Sequence, residues 1–115
     1  MFIEQGGDLQ GCIIFRTNTR FGLKEVVLCE FLLAEPRMDL CRDLLARLRS
    51  SLKADYLITH FPEGSFHRRG LEQMGFRGVP GQGMNFTVRP LVQDLPQDPL
   101  QFSNWGLAMG DLELF

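Results

Sequence analysis

Glu30 is the residue whose type and position in this sequence most directly suggest chemistry. It interrupts an otherwise apolar run, with Val26–Cys29 before it and Phe31–Leu33 after it. A carboxyl group that is buried in such a setting has a raised pKa and can serve as a general base. Two alternatives follow. Glu30 either points inward as a base, or it reaches the sheet edge or pairs with an arginine, as interior carboxylates usually do.

A second group of reactive side chains surrounds a loop near the middle of the chain. His60 and His67 are seven residues apart, and Glu63 and Ser65 lie between them. This spacing is not the i, i+4 spacing of a helical metal site, and no further cysteine or carboxylate completes a standard ligand set. We therefore interpret these as loop and helix-surface residues. The alternative is a small hydrolase that uses Ser65 or His67.

Two features could hold a phosphate group. The glycine-rich segment 77–83 resembles a phosphate cradle, but a predicted strand follows it instead of the helix that a cradle requires. We interpret it as a glycine turn or bulge. The other feature is a set of basic residues along the first predicted helix, for which a solvated face is the simpler interpretation and a phosphate site the alternative. These residues are Arg37, Arg42, Arg47, Arg49 and Lys53.

Composition restricts the class of protein. The chain has 115 residues, of which 44% are hydrophobic, and this suits one domain with one core. Its formal net charge is -2, so it lacks the basic excess of a nucleic-acid-binding protein. No apolar run reaches the length of a membrane span, and the N-terminal residues lack the basic start of a signal peptide. We therefore expect neither a nucleic-acid nor a membrane partner.

The cysteine and aromatic residues indicate the compartment and the partners. The cysteine number is odd and all three lie in apolar runs, at Cys12, Cys29 and Cys41. Free thiols in a reducing compartment are therefore expected, which predicts a cytoplasmic protein.

The ten phenylalanines against one tryptophan and one tyrosine predict a strongly apolar interior or a hidden interface. A homodimer, or docking to another domain, would supply that interface.

The elements that must position these residues can be read from periodicity. Residues 11–18 and 24–33 read as strands of an antiparallel hairpin, with a turn at Gly22. Leucines at helical spacing follow Met38, and a third strand covers residues 54–60, so the middle of the chain predicts a parallel βαβ crossover with an opening beside the helix tip. Further along we predict a helix at 66–74 between Ser65 and Gly75, a strand at 84–89 and a loop at 90–104. For the terminal segment 105–115 we consider a short strand that packs back on the sheet. The fold class is α/β (α+β): a mixed sheet of about five strands with two helices.

Three stretches in this order resemble the C-terminal half of the GNAT superfamily of acyl-CoA N-acyltransferases. Gly11–Phe15 resembles the family's central strand that opens with Gly-Tyr or a near variant. His67–Phe76 resembles the L-x-x-x-G-F helix and turn before the last strand. Asn104–Asp111 resembles the W-x-L-x-x-G-D ending of a subset of bacterial GNAT-like proteins. The resemblance covers about residues 10 to 115 and implies one partial GNAT-like domain within residues 1–115.

The resemblance implies an acetyl-CoA site. In the family, the pyrophosphate lies on the N-terminus of the helix after the central strand, and a glycine-containing loop holds it. The matching segment here is Ala34–Leu40, which has no glycine, so its pyrophosphate loop is degenerate. The cofactor-binding residues implied are Arg37, Met38, Asp39, Leu40 and Arg68. The candidate catalytic residue is Glu30, the carboxylate within the apolar strand.

The expected function follows from this resemblance. The chain would be a GNAT-like N-acetyltransferase, or the C-terminal part of one, that transfers an acyl group from acetyl-CoA to an amine on a small molecule or a peptide. The alternative is a non-catalytic interaction or dimerisation module of a longer protein.

Overall fold

The fold is a mixed four-stranded sheet with two helices. The computed structural model describes residues 1–80, 88, 96–101 and 104–111. In chain order the elements are β1 (Phe2–Gln5), β2 (Asp8–Arg20), β3 (Leu23–Leu33), α1 (Met38–Ser51), β4 (Tyr56–Thr59), α2 (Phe66–Gln73) and a 3-10 turn (Met109–Asp111). The predicted α+β class is confirmed, with four strands in the described residues where about five were predicted. The strand predicted at 84–89 lies outside the described residues, apart from Val88.

The sheet has the strand order β1-β2-β3-β4. β1 and β2 pair antiparallel, as do β2 and β3, whereas β3 and β4 pair parallel through Glu25–Leu28 and Tyr56–Thr59. The predicted crossover of strand, helix and parallel strand is therefore confirmed. Because β3 lies between a hairpin partner and a crossover partner, it is a central strand with buried residues at Val26, Val27 and Leu28.

Tight turns at positive φ join the antiparallel strands. Phe21 and Gly22 connect β2 to β3 at φ 53° and 79°, and Gly6 and Gly7 connect β1 to β2 at φ 63° and 90°. Two consecutive residues with positive φ are typical of a two-residue hairpin turn of type I′, whose twist matches that of the strands. The Gly-Gly pair thus explains β1, a strand that our sequence analysis did not predict.

Helix α1 provides one wall of the core. Its buried residues recur at helical spacing and are Leu40, Cys41, Leu44, Leu45 and Leu48. The helix lies close to β2 because Gly11 has no side chain: a Cβ there would lie 2.8 Å from Leu33 Cδ2 and 3.0 Å from Leu44 Cδ1. Leu44 is fully buried, so it has little room to yield. Burial also raises the pKa of the Cys41 thiol to about 11, which keeps it protonated.

Helix α2 begins and ends where its sequence signals predict. The Ser65 hydroxyl accepts the Arg68 N–H at 3.2 Å as an N-cap. At the other end Gly75 has φ 91°, and the Phe76 N–H donates to the Leu71 carbonyl at 3.1 Å, which is the hydrogen bond of a Schellman motif. The two helices meet at Gly70, where a Cβ would lie 2.9 Å from Cys41 Sγ.

The segment 105–111 is a turn and not the short strand considered for it. The Asp111 carboxylate accepts the Ala108 N–H at 2.8 Å, which closes the chain into the 3-10 turn. Gly110 lies directly on β3, because a Cβ there would be 2.7 Å from Glu30 Oε1 and 3.2 Å from the Cys29 carbonyl oxygen. The helices of the described residues are all too short and too polar to cross a membrane.

We expect Leu44→Ala to lower the free energy of unfolding by about 2 to 5 kcal/mol, because it removes a fully buried side chain at the contact between α1 and the sheet. The measurement is chemical denaturation followed by circular dichroism. Arg47→Ala, an exposed change on the same helix, should cost less than about 1 kcal/mol. Equal losses in the two variants would contradict the packing described here.

Candidate functional site

The candidate site is the end of β3 that extends beyond its parallel partner β4. β4 pairs with β3 only as far as Leu28, where the Thr59 hydroxyl donates to the Leu28 carbonyl at 2.9 Å. β3 continues to Leu33, so its last five residues extend beyond β4. Helix α1 begins at Met38, close to this end of the strand. The strand order on which the predicted opening depends is therefore present, and the 3-10 turn packs against this end of β3.

A β-bulge decides where Glu30 points. Phe15 pairs with Leu28 and Ile14 pairs with Glu30, so Cys29 is an extra residue in β3. Leu28 and Phe31 both belong to the hydrophobic core, although unbroken alternation would place them on opposite faces. The bulge therefore turns Glu30 to the sheet face away from the helices, opposite Ile14, whose side chain is half exposed.

Glu30 is a partly buried carboxyl group beside the 3-10 turn. Burial raises its pKa, and the negative charge of Asp111 raises it further. The ion pairs of the described residues join Arg37 to Asp39, Arg47 to Asp43 and Arg68 to Glu72, and none includes Glu30. Of the two alternatives raised by the sequence, Glu30 neither enters the core nor pairs with an arginine of the described chain. Its environment is that of a carboxyl group able to accept a proton.

The Asp39 carboxylate occupies the N-terminus of α1. Arg37, at the N-cap, donates from Nε and Nη2 to the two carboxylate oxygens of Asp39. This hydrogen bond lowers the pKa of Asp39 most, and the backbone N–H groups of Asp39 and Leu40 lower it further. Those N–H groups are the ones that a bound phosphate would use at a helix N-terminus. A phosphate would therefore have to displace the Asp39 carboxylate.

The remaining residues of the implied cofactor site have other contacts. The Leu40 side chain is buried in the core, and Met38 packs against Gly70 of α2. Arg68 donates from Nε to Glu72 Oε1 at 2.9 Å and lies near Gly78. Arg37 to Leu40 thus form one local group, and no hydrogen bond or ion pair in the described part of the chain joins the Arg68 side chain to it.

His67 belongs to an aromatic cluster and not to the helix surface expected for it. Its ring centroid lies 5.6 Å from Phe31, 5.1 Å from Phe61 and 5.8 Å from Phe66. Burial lowers its pKa, while a hydrogen bond to the Phe31 backbone opposes that effect. The ring is therefore mainly neutral near pH 7 and fills space between α2 and β3. The described residues contain no group of three or more His, Cys, Asp or Glu side chains that could hold a metal ion.

One buried acid escaped our sequence analysis. Glu25 is 4% exposed and accepts a hydrogen bond from the Tyr56 hydroxyl at 2.9 Å. The two residues are register partners in the parallel pairing of β3 with β4. The sequence shows a carboxylate in one predicted strand and the one tyrosine in another. The register that places them side by side in β3 and β4 could not be read from the sequence.

We expect Asp111→Asn to lower the pKa of Glu30, because it removes the neighbouring negative charge while keeping an oxygen that can accept the Ala108 N–H. The measurement is an NMR titration of the Glu30 side-chain carbon. Asp98→Asn is the matched control, since Asp98 caps a different turn at Leu100. An unchanged Glu30 titration in Asp111→Asn would show that the two carboxylates do not interact.

The raised pKa of Glu30 makes the stability of the fold depend on pH. Because the folded-state pKa lies above the unfolded-state pKa, the contribution of Glu30 to the free energy of unfolding is fully present below the unfolded-state pKa. That contribution is lost as the pH rises through the folded-state pKa.

Comparison of the chain with protein-family models, with curated proteins and with solved structures gave no match. The functional assignment therefore depends on the geometry of the chain itself.

Proposed function

We propose that this chain is the acyl-CoA-binding part of a GNAT-like N-acyltransferase, which transfers an acyl group from acetyl-CoA to an amine. The observation that carries the proposal is the parallel pairing of β3 with β4, in which β3 extends beyond its partner next to the start of α1. In an α/β sheet, ligands bind at such places, outside the carboxyl ends of parallel strands. The order of hairpin, helix, parallel strand and helix supports the same proposal.

Glu30 is the residue we assign to proton transfer. An amine attacks a thioester carbonyl only when its nitrogen carries a free electron pair, so a base must take a proton from the ammonium form or from the nitrogen during attack. A carboxyl group with a raised pKa is better matched to that task near neutral pH than an ordinary glutamate. Acetyl-CoA supplies the activated acyl group. Its acceptor is a small molecule or a peptide that bears an amine.

The start of α1 is the anion-binding element of this proposal, with Arg37 and the backbone N–H groups of Met38, Asp39 and Leu40. The fit to a pyrophosphate is incomplete, because the Asp39 carboxylate already uses Arg37 and the helix N-terminus. Binding of acetyl-CoA in this arrangement is weak, and Asp39 sets the affinity.

The proposed setting is the cytoplasm. Cys12, Cys29 and Cys41 are all free thiols, which suits a reducing compartment. Acyl-CoA thioesters and free cysteines would both persist there.

We expect Asp39→Asn to tighten acetyl-CoA binding by roughly two- to fivefold, the usual effect of one charge at a helix N-terminus. The variant removes the internal anion and frees Arg37 for the pyrophosphate. Isothermal titration calorimetry measures the affinity, and Asp43→Asn is the control, because it breaks an Arg–Asp pair one turn further along the same helix.

Two results would oppose the proposal. An equal effect of Asp39→Asn and Asp43→Asn would show that charge alone, and not the helix start, governs binding. Absence of acetyl-CoA binding at millimolar concentration in both the native chain and Asp39→Asn would remove the cofactor assignment.

A second candidate function is self-association through the sheet face away from the helices. Phe2, Cys12 and Leu32 are neighbours across β1, β2 and β3, and Ile14 lies beside them. Phe2 is 61% exposed, Leu32 53% and Ile14 52%, so this part of the face presents apolar side chains to solvent, with Glu30 opposite Ile14. The occupant we propose for it is a second copy of the chain, which would bring the same apolar surface and hide both from water.

We expect the native chain to sediment as a dimer at concentrations well above micromolar, and Leu32→Asp to shift it toward monomer by placing a charge in the apolar surface. Val79→Asp is the control, because Val79 is 68% exposed but lies after α2, outside β1–β3. A native chain that remains monomeric throughout would refute self-association and leave the acyl-CoA proposal unaffected.

A further inference from the structure

A groove lies between α1 and the residues that follow α2. Its volume is about 590 Å³, which is within the range of small-molecule sites. Leu57 of β4 forms part of its lining, with Leu45 of α1 on one side and Met74 and Phe76 on the other. These four side chains form the apolar part of the lining. It extends along α1 to Arg49 in the last turn, whereas the acetyl-CoA proposal uses the first turn.

The charges around the groove are all positive. Its lining includes Arg42, Arg49 and Arg77 and no acidic residue. Three other arginines, Arg37, Arg47 and Arg68, are neutralised by ion pairs with Asp39, Asp43 and Glu72. In the described part of the chain, no carboxylate lies within ion-pair distance of the three groove arginines. The groove therefore concentrates unneutralised positive charge beside apolar surface.

Local structure explains how these side chains come together. Arg42, Ala46 and Arg49 are spaced by four and three residues, so they lie on one side of α1. The small Ala46 side chain leaves room between the two arginines. On the opposite side, the positive φ of Gly75 reverses the chain and places Phe76 and Arg77 on the groove. The Phe76 N–H bond to the Leu71 carbonyl holds that reversal in place.

We propose that this groove binds a small molecule that carries a phosphate or carboxylate group on an apolar body. Guanidinium groups match these anions because their planar N–H donors bind two oxygens at once. The apolar lining favours a ring or a short aliphatic chain over a free inorganic ion. The site is independent of the proposed acetyl-CoA site, because it uses neither Arg37 nor the N–H groups at the start of α1.

Phenyl phosphate is the probe, because it carries a phosphate group on an apolar ring. Inorganic phosphate and phenol serve as comparison ligands that carry one of these two groups each. Titrations are followed by two-dimensional NMR of the backbone amides, with Ala46 and Gly75 as reporters of the groove. We expect phenyl phosphate to bind with a Kd on the order of millimolar. It should bind at least threefold tighter than either comparison ligand and shift both reporter amides.

Charge-removing variants locate the site. Arg49→Gln and Arg77→Gln should each weaken phenyl phosphate binding by roughly three- to tenfold, as expected for the loss of one exposed charge-assisted contact. Arg47→Gln on the same helix should leave the Kd unchanged. All three side chains are exposed, so we expect each variant to fold.

The proposal would be overturned by any of three results. Equal weakening by Arg47→Gln would indicate nonspecific attraction to positive charge. Equal affinity for phenyl phosphate and inorganic phosphate would show that the apolar lining contributes nothing. Shifts that avoid Ala46 and Gly75 would place the ligand elsewhere. The outcome is separate from that of the acetyl-CoA titration, since Asp39→Asn alters only the first turn of α1.

Discussion

The close contact between α1 and the sheet is the interaction on which the rest of the structure depends. Gly11 lets Leu44 approach β2, and the buried leucines of the helix then seal one face of β2 and β3. Once α1 is held there, the chain returns to the sheet as the parallel strand β4. The short pairing of β4 with β3 leaves the end of β3 extended beside the helix start. Both the extended end of β3 and the arginine groove are therefore consequences of where this one helix packs.

Much of the fold could be predicted from the sequence because its signals are local. The leucine spacing of α1, the Ser65 cap and the glycine at position 75 each act within a few residues, and each was confirmed. β1 was missed, although Gly6 and Gly7 carried a hairpin signal. Side-chain directions were harder to predict. The face occupied by Glu30 depends on a bulge, and the contact of Glu25 with Tyr56 depends on strand register, so both are set by residues distant in the sequence.

Ion pairing within α1 separates its arginines into neutralised ones and ones that face the groove. The sequence presents Arg37, Arg42, Arg47 and Arg49 as one basic face. In the structure Arg37 and Arg47 are neutralised by acids two residues after and four residues before them, whereas Arg42 and Arg49 face the groove. Asp39 has the largest effect on the charge of the helix, because it neutralises Arg37 and at the same time occupies the helix N-terminus. Positive charge is thereby removed from the start of α1 and kept along its groove side.

The bulge at Cys29 decides which side chains the end of β3 presents on each face. Up to Leu28 the strand alternates in one phase, and from Glu30 onward it alternates in the opposite phase. If Cys29 took a regular place in the pairing instead of bulging, every residue after it would turn to the other face, sending a carboxylate toward the leucines and a phenyl ring toward solvent. The chemical character of this corner therefore depends on how the pairing accommodates one extra residue, as well as on which residues follow it. A homologue that lacks residue 29 would keep the carboxylate and the phenyl ring on their present faces with no bulge at all.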